Sequence, residues 1–240
     1  MRRRPQLRSS PKFDELVQEV VRRFRVTVGE NIKLGGMYSF SIPPVVTCPG
    51  KTKVCRKACY ARMMYARRPV VRWSWDRSRD ITKHPMFRAL LTVALGRLKP
   101  GIVRWHVSGD FYSPRYMEDV IEAFKANPHL HPFTFTRSWR QPRFRAVLAR
   151  YDWPKWILAS TDSETGPPPP MMREAKMSDQ RLYGTRLGRY PYPVGLCDEQ
   201  RDPSRTCDKC GRCPLVRVSK GALTMLPSVA ARKGVIFLTH

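Results

Sequence analysis

GIVRWHVSGDFYSPRYMEDVIEAFKANP, residues Gly101 to Pro128, decides the fold. Ile102 to Val107 reads as a strand that stops at Ser108-Gly109-Asp110, a turn sequence. A helix follows, with Ser113 as its N-cap and Pro114 at the first helical position, where the missing N–H costs nothing. Tyr116, Met117, Val120, Ile121 and Phe124 then recur at helical spacing and form one apolar face. A strand feeding directly into an amphipathic helix is the repeating half of a parallel α/β fold.

The same unit recurs along the chain. HPFTFTRS (131–138), KWILASTDSETG (155–166), YPVGLC (192–197) and GVIFLTH (234–240) each read as a strand running into a polar or cysteine-bearing end, with a helix at Phe144 to Arg150 between two of them. Upstream, MYSFSIPPVVTCPG gives a strand from Met37 to Ile42 that is broken at Pro43-Pro44. Residues 1–30 read as a basic arm followed by a helix whose stripe is Phe13, Leu16, Val17, Val20, Val21 and Phe24, ending near Val28-Gly29. Residues 31–240 read as a single α/β metal-binding domain that includes a Cys-rich segment, 197–213. The expected fold is therefore a parallel sheet or a partial (βα) barrel with helices outside and a Cys-rich C-terminal loop region. In such sheets ligands collect beyond the C-terminal strand ends, so Cys59, Asp110, Arg137 and Asp162 are expected on one rim.

The chain of 240 residues is 42% apolar, enough to fill a core without disulfides, yet its formal charge is +26. So strong a positive field points to a polyanion, chiefly nucleic acid, as partner. Between Lys51 and Arg79 ten Lys or Arg face one acid, Asp76, with Tyr60, Tyr65, Trp73 and Trp75 interleaved. Arg67, Arg68, Arg72 and Trp73 are the candidate nucleic-acid contacts there, the arginines for phosphate and the indole for stacking. Arg137 and Arg140, flanking Trp139 after an apolar strand, are candidates of the same kind. The basic N-terminus lacks the apolar stretch of a signal peptide, and no run is long enough to span a membrane, so a cytoplasmic setting is expected.

In a reducing compartment clustered cysteines are metal or redox groups rather than disulfides. All seven fall in two groups. Cys48, Cys55 and Cys59 are spaced x6 and x3; Cys197, Cys207, Cys210 and Cys213 are spaced x9, x2 and x2. Three thiols at successive x2 spacing on one loop suit a four-iron cluster, with Cys197 closing the shell, and zinc is the alternative at this second site. The first group supplies only three thiolates, which leaves one iron of a cluster open for chemistry.

YSFSIPPVVTCPGKTKVCRKACYA, RWHVSGDFYSPRYM, FTFTRSWR, LASTDSETGPP and CDEQ followed by CDKCGRC together resemble the phage gene-product-88 domain family, from about Leu34 to His240. More distantly, a cysteine triplet after one strand and Ser108-Gly109-Asp110 after the next resemble radical S-adenosylmethionine enzymes. That resemblance implies a four-iron cluster on Cys48, Cys55 and Cys59 and S-adenosylmethionine contacts from Ser108, Gly109 and Asp110. The triplet spacing departs from that superfamily's usual x3 and x2.

His106 and Asp110 are the candidate catalytic groups. Strand alternation is expected to place His106 on the face of Arg104 and Ser108, opposite Trp105 and Val107. Ser160 and Asp162, with Glu164, are candidate acceptors for a ribose or an ammonium. No phosphate-binding Gly-x4-Gly-Lys, nucleophile elbow or zincin motif is present. The reading is an iron-sulfur enzyme acting on nucleic acid or a nucleotide-derived substrate, with a non-enzymatic nucleic-acid-binding protein as the alternative.

Overall fold

The structure is a computed structural model that describes residues 11–26, 35–181, 206–210, 213, 216–219, 222–225 and 235–239. Cys197 and the strand expected at YPVGLC lie outside the described residues. Gly101–Trp105 is a strand, and Pro114–Lys125 is a helix capped by Ser113, whose hydroxyl accepts from the Tyr116 amide. In chain order the strands are β1 (Arg25–Val26), β2 (Tyr38–Phe40), β3 (Gly101–Trp105), β4 (Leu130–Thr136), β5 (Ile157–Thr161), β6 (Glu174–Arg181), β7 (Val216–Ser219), β8 (Ala222–Met225) and β9 (Val235–Thr239). The helices are α1 (Pro11–Arg23), α2 (Lys53–Lys57), α3 (Tyr60–Arg67), α4 (Pro69–Thr82), α5 (Phe87–Gly96), α6 (Pro114–Lys125) and α7 (Pro142–Arg150), with a short helical turn at Cys207–Cys210.

Seven strands form one sheet in the order β1-β2-β3-β4-β5-β6-β9, and β7 pairs with β8 as a separate antiparallel hairpin. Only the edge pairing of β1 with β2 is antiparallel; every other pairing described in the large sheet is parallel. The parallel strands succeed one another in space as they do in sequence. Crossovers of fixed hand that always step the same way lay their helices on one face, which is the winding of a partial barrel. Accordingly α1 packs on α5, α5 on α6 and α6 on α7.

The main core lies between that helical row and the sheet. Val17 and Val20 of α1, Leu91 and Leu95 of α5, Met117, Val120 and Ile121 of α6, and Val147 and Leu148 of α7 meet Phe40, Val103, Trp105, Ile157 and Ala159 of the strands. Phe40 stacks on Trp105 with ring centroids 4.4 Å apart. The N-terminal helix is thus part of the domain's core. It stops at Arg23, before the expected Val28-Gly29, because Arg25 and Val26 leave to pair with Ser39 and Tyr38.

The opposite face of the sheet carries Met37, Ile102 and Phe133, with Phe135, Cys207, Cys213 and Leu223 packed against them. Leu158 and Ala175 extend this patch, again against Cys213. Cys207 and Cys213 therefore lie on the face opposite the helices. Asp208 fastens it, accepting from the Gly36 amide at 3.3 Å. Gly35, at φ +66°, has no room for a Cβ beside the Asp208 carboxylate.

One expectation fails locally. β3 ends at Trp105, not Val107, and His106 takes a left-handed φ of 59°. The alternation breaks there, so the imidazole turns away from the face of Arg104 and into the helix-side core. Its Nε2 lies 2.8 Å from the Tyr116 hydroxyl, and its ring meets Phe111 edge-on at 4.7 Å. No helix among the described residues is long and apolar enough to cross a membrane.

Candidate metal site and basic surface

Beyond the C-terminal end of β2 the chain makes a tight turn at residues 43–48. Thr47 donates its hydroxyl to the Pro43 carbonyl at 2.5 Å, and the Cys48 amide donates to Val45 O at 3.3 Å. Behind this turn stands Gly109 at φ +82°; a Cβ there would lie 2.3 Å from Ile42 Cγ1 and 2.8 Å from Thr47 Oγ1. The glycine of Ser108-Gly109-Asp110 is what lets the β3 loop and the cysteine loop close on each other.

The loop then runs across the rim of the sheet, held at each step by a residue at the end of another strand. Gln141 Nε2 donates to Pro49 O at 2.9 Å and Arg140 Nη1 to Gly50 O at 3.0 Å. Gly50 lies so close that a Cβ would sit 1.9 Å from the Arg137 carbonyl oxygen. Thr52 caps α2, accepting from the Cys55 amide at 2.9 Å while donating to Asp162 Oδ2 at 2.6 Å. Glu164 accepts from the Lys53 amide at 2.9 Å. Cys55 thus enters the first turn of α2 on a fixed backbone, and Cys59 is the N-cap residue of α3.

Two acids lock this frame. Asp110 is buried and accepts from Thr136 Oγ1 at 2.6 Å, the Arg137 amide at 2.8 Å and the Phe111 amide at 2.7 Å. Asp162 pairs with Arg137 Nη2 at 3.1 Å and accepts from the Glu164 amide at 2.9 Å. Both oxygens of each carboxylate are engaged inside the chain, so the structure gives Asp110 and Asp162 the work of positioning the rim. Ser160 contributes its carbonyl, which accepts from Trp139 Nε1 at 3.2 Å. Ser108 is buried and its carbonyl accepts from the Ile42 amide at 3.1 Å.

The three thiols of the first group act on one another. Burial, reinforced by the Asp110 carboxylate and by Cys55 and Cys59, pushes the Cys48 thiol up to about 12. Burial also raises Cys55, while the Arg137 guanidinium pulls the other way. Both are therefore protonated at neutral pH unless a cation displaces the proton. Among the described residues no three His, Cys, Asp or Glu stand close enough together to hold a single metal ion. A zinc ion draws every sulfur to about 2.3 Å and would have to pull the three together.

Sequence reasoning places Cys59, Asp110, Arg137 and Asp162 on one rim, and the structure brings them together. It separates His106, which lies in the helix-side core, where burial and the nearby Arg104 charge keep its imidazole well below the usual range and hence neutral. Arg137 and Arg140 are taken up by the rim, bonded to Asp162 and to Gly50 O. Sequence reasoning misses Thr52 and Gly50; a Thr three residues before Cys55 and a Pro-Gly pair are the signals for a cap and a close approach.

The basic surface lies on α3 and α4, which follow the thiol loop directly. Arg67 and Arg68 are exposed, and Arg72 donates to Ala66 O at 3.1 Å with its guanidinium 5.7 Å from the Tyr65 ring centroid. Tyr65 stacks on Trp75 at 6.2 Å and bonds Asp76, so both rings are half-buried packing. Trp73 stays 57% exposed between Arg23 and Arg77, and Tyr60 lies exposed with its hydroxyl on Val107 O at 2.7 Å. The stacking platforms of the sequence reading thus reduce to Trp73 and Tyr60.

The family model described as "Gene product 88" matches residues 23–214. The Gene 88 protein of Mycobacterium phage L5 is 28% identical over 133 residues, 50% of this chain and 56% of that protein. The matched segment is just over half the length of this curated relative. No solved structure matches the chain.

Proposed function

The chain belongs to the gene product 88 family, and on the geometry of its rim we propose that it is an iron-sulfur enzyme acting on nucleic acid or a nucleotide-derived substrate. One observation carries the reading: three mutually interacting thiols stand at the C-terminal rim of a parallel sheet, where this architecture binds ligands, and run straight into a basic helical surface. Cys48, Cys55 and Cys59 would hold a four-iron cluster. When bound, such a cluster with one iron not held by the chain supplies a reducing electron and an open coordination position, the chemistry that S-adenosylmethionine enzymes use.

The chain's own residues prepare that place. Arg137, paired with Asp162, sets a positive charge beside Cys55 that offsets part of the negative charge a thiolate-bound cluster brings. Asp162, Thr52 and Glu164 fix the backbone on which Cys55 sits, so the sulfur does not have to search for its iron. Arg67, Arg68 and Arg72 draw a phosphate backbone toward the rim, and Trp73 offers a base a stacking surface. His106 and Asp110 act as positioning residues, the first through Tyr116 and the second through Thr136 and Arg137.

A second reading, a nucleic-acid-binding protein whose metal sites are structural, is favoured by the internal engagement of Asp110 and Asp162. The two are separated by incubating anaerobically iron- and sulfide-loaded protein with S-adenosylmethionine and dithionite, with and without RNA or DNA. Release of 5′-deoxyadenosine that is absent in Cys55→Ala supports the enzyme. Iron-loaded, nucleic-acid-binding protein that leaves S-adenosylmethionine intact supports the second reading instead.

A further inference from the structure

The groove between α1 and α4 gathers an aromatic face, two arginines and a cavity that the rim leaves unused. Trp73, Arg77, Asp80 and Ile81 fall at i, i+4, i+7 and i+8 of α4 and so share one face of that helix. α1 runs beside this face in the opposite sense. Arg23 lies over the Trp73 ring at 5.4 Å, Glu19 accepts from Arg77 Nη2 at 3.3 Å, and Leu16 and Ile81 line the same cavity.

The groove is assembled in advance. Glu19 holds both arginines, Arg23 at 2.5 Å and Arg77 at 3.3 Å, and the Arg77 guanidinium lies 5.7 Å from the Trp73 ring centroid. The indole is thus braced from two sides while more than half of it stays exposed. A ring that stacks on it finds the side chain already ordered. Arg77 is also more than half exposed, which lets it meet a phosphate.

Beyond Arg77 the groove deepens into a cavity of about 210 Å³ lined by Leu16, Arg77, Asp80, Ile81, His84 and Leu90. Pockets for drug-sized ligands run to roughly 300–1,000 Å³, so this one has room for a single small ring system. Leu16, Ile81 and Leu90 give it apolar walls, and Arg77, Asp80 and His84 give it polar edges. A nucleobase, with apolar faces and hydrogen-bonding edges, matches that lining. Arg79 and Lys83 pair with Asp80 at 3.3 and 3.5 Å and offset its charge where a phosphate would approach. Trp73 and Ile81 are eight residues apart in α4, about 12 Å along the helix. Neighbouring bases of a duplex are stacked only about 3.4 Å apart, so an extended strand with free base faces fits the two places and a duplex does not.

We propose that the α1–α4 groove binds nucleic acid as a single strand, with one base stacked on Trp73 and a second, farther along the strand, seated in the cavity beside Arg77. This rests on the reading that the partner is nucleic acid, and it names the form that partner takes. A duplex carries the denser charge, so a surface acting through its arginines alone would hold a duplex at least as tightly.

The test is fluorescence anisotropy of the full chain with a labelled 12-nucleotide DNA strand and with the same strand annealed to its complement. The single strand is expected to bind tighter than the duplex by roughly 5-fold or more, the worth of at least one stacked base. Trp73→Ala should weaken single-strand binding by roughly 5- to 150-fold and leave duplex binding unchanged, and Trp73→Phe, which keeps an aromatic face, should recover most of the loss. Leu16→Phe, which fills the cavity, should weaken the single strand without flattening its salt dependence, since no phosphate contact is lost. Thermal melts of each variant report whether the fold is kept, and Trp73, lying at the surface, supplies the variant least able to disturb it. A duplex bound as tightly as the single strand, or single-strand binding untouched by both Trp73→Ala and Leu16→Phe, overturns the proposal and leaves the nucleic-acid reading standing. Binding of neither oligonucleotide at low salt, with or without binding to phosphatidylserine vesicles, overturns that reading and the proposal with it.

Discussion

Asp162 is the keystone of the rim, and Asp162→Asn is the perturbation that tests this most sharply. The Asp162 side chain is fully buried and that of Arg137 is 12% exposed, with 3.1 Å between the charged atoms. The same carboxylate takes the Thr52 hydroxyl at 2.6 Å and the Glu164 amide at 2.9 Å. Asparagine keeps the shape but leaves a buried guanidinium without its anion, a loss of about 3–5 kcal/mol when one partner of a buried pair is removed. It also turns an amide N–H toward donors that need an acceptor, so the upper half of that range is expected. With a urea slope of about 3 kcal/mol per molar, the midpoint of the metal-free, reduced protein should fall by about 1.3–1.7 M. The slope itself should not change. Because Thr52 holds the first turn of α2, Cys55 should also react faster with a thiol reagent, ahead of global unfolding. The double variant Arg137→Met with Asp162→Asn should be more stable than Asp162→Asn alone, as the orphan charge is gone. A midpoint for Asp162→Asn within about 0.2 M of wild type, far short of the shift that breaking a buried ion pair produces, would refute the reasoning.

Gly50→Ala drives a Cβ into the Arg137 carbonyl, a backbone atom that cannot step aside, and should cost about 1–3 kcal/mol in the same urea assay. For Cys48 the folded chain holds its proton up to about 12 against an ordinary 9.0, so that thiol's contribution to stability is whole below about pH 9 and fades as pH climbs from there toward 12. Thermal melts of the metal-free protein should therefore fall across that window, and Cys48→Ala should flatten the fall. Replacing Arg67, Arg68 and Arg72 by Gln should weaken nucleic-acid binding and reduce its logarithmic salt slope by about 0.7 per lost contact on single strands, measured by fluorescence anisotropy. Trp73→Ala should weaken single-strand binding with little change in slope, since stacking releases no counterions.

The βα unit at Gly101 to Pro128 is legible because its cap, proline and apolar stripe agree with one another, and the rim follows from the rule that strand ends converge. Cys59, Asp110, Arg137 and Asp162 can thus be brought together from sequence. What they do there cannot. Whether a carboxylate faces solvent or is saturated by Thr136, Arg137 and Thr52 depends on partners far along the chain, as the 26-residue and 110-residue separations of Asp110–Thr136 and Thr52–Asp162 illustrate. Alternation assigns His106 to the wrong face because it presumes an extended backbone, and the positive φ of that residue has no local signature. β6, EAKMSDQR, is too polar to read as a strand; its place beside β5 and β9 comes from pairing, not from its own pattern. Arg104 is legible as a charge on a strand face, but that its Nη1 is shut off from solvent without a hydrogen-bond partner among the described residues emerges only from the structure.

The central claim is that the rim thiols hold an iron-sulfur cluster, and the most direct measurement is iron and acid-labile sulfide per chain in anaerobically expressed protein. The wild type should carry both, with charge-transfer absorption in the blue. The variant with Cys48, Cys55 and Cys59 all replaced by Ala should remain soluble and lose the iron and sulfide assigned to the rim. Wild-type protein that contains zinc and no sulfide under ample iron, or a triple variant with undiminished iron and sulfide, would contradict the account.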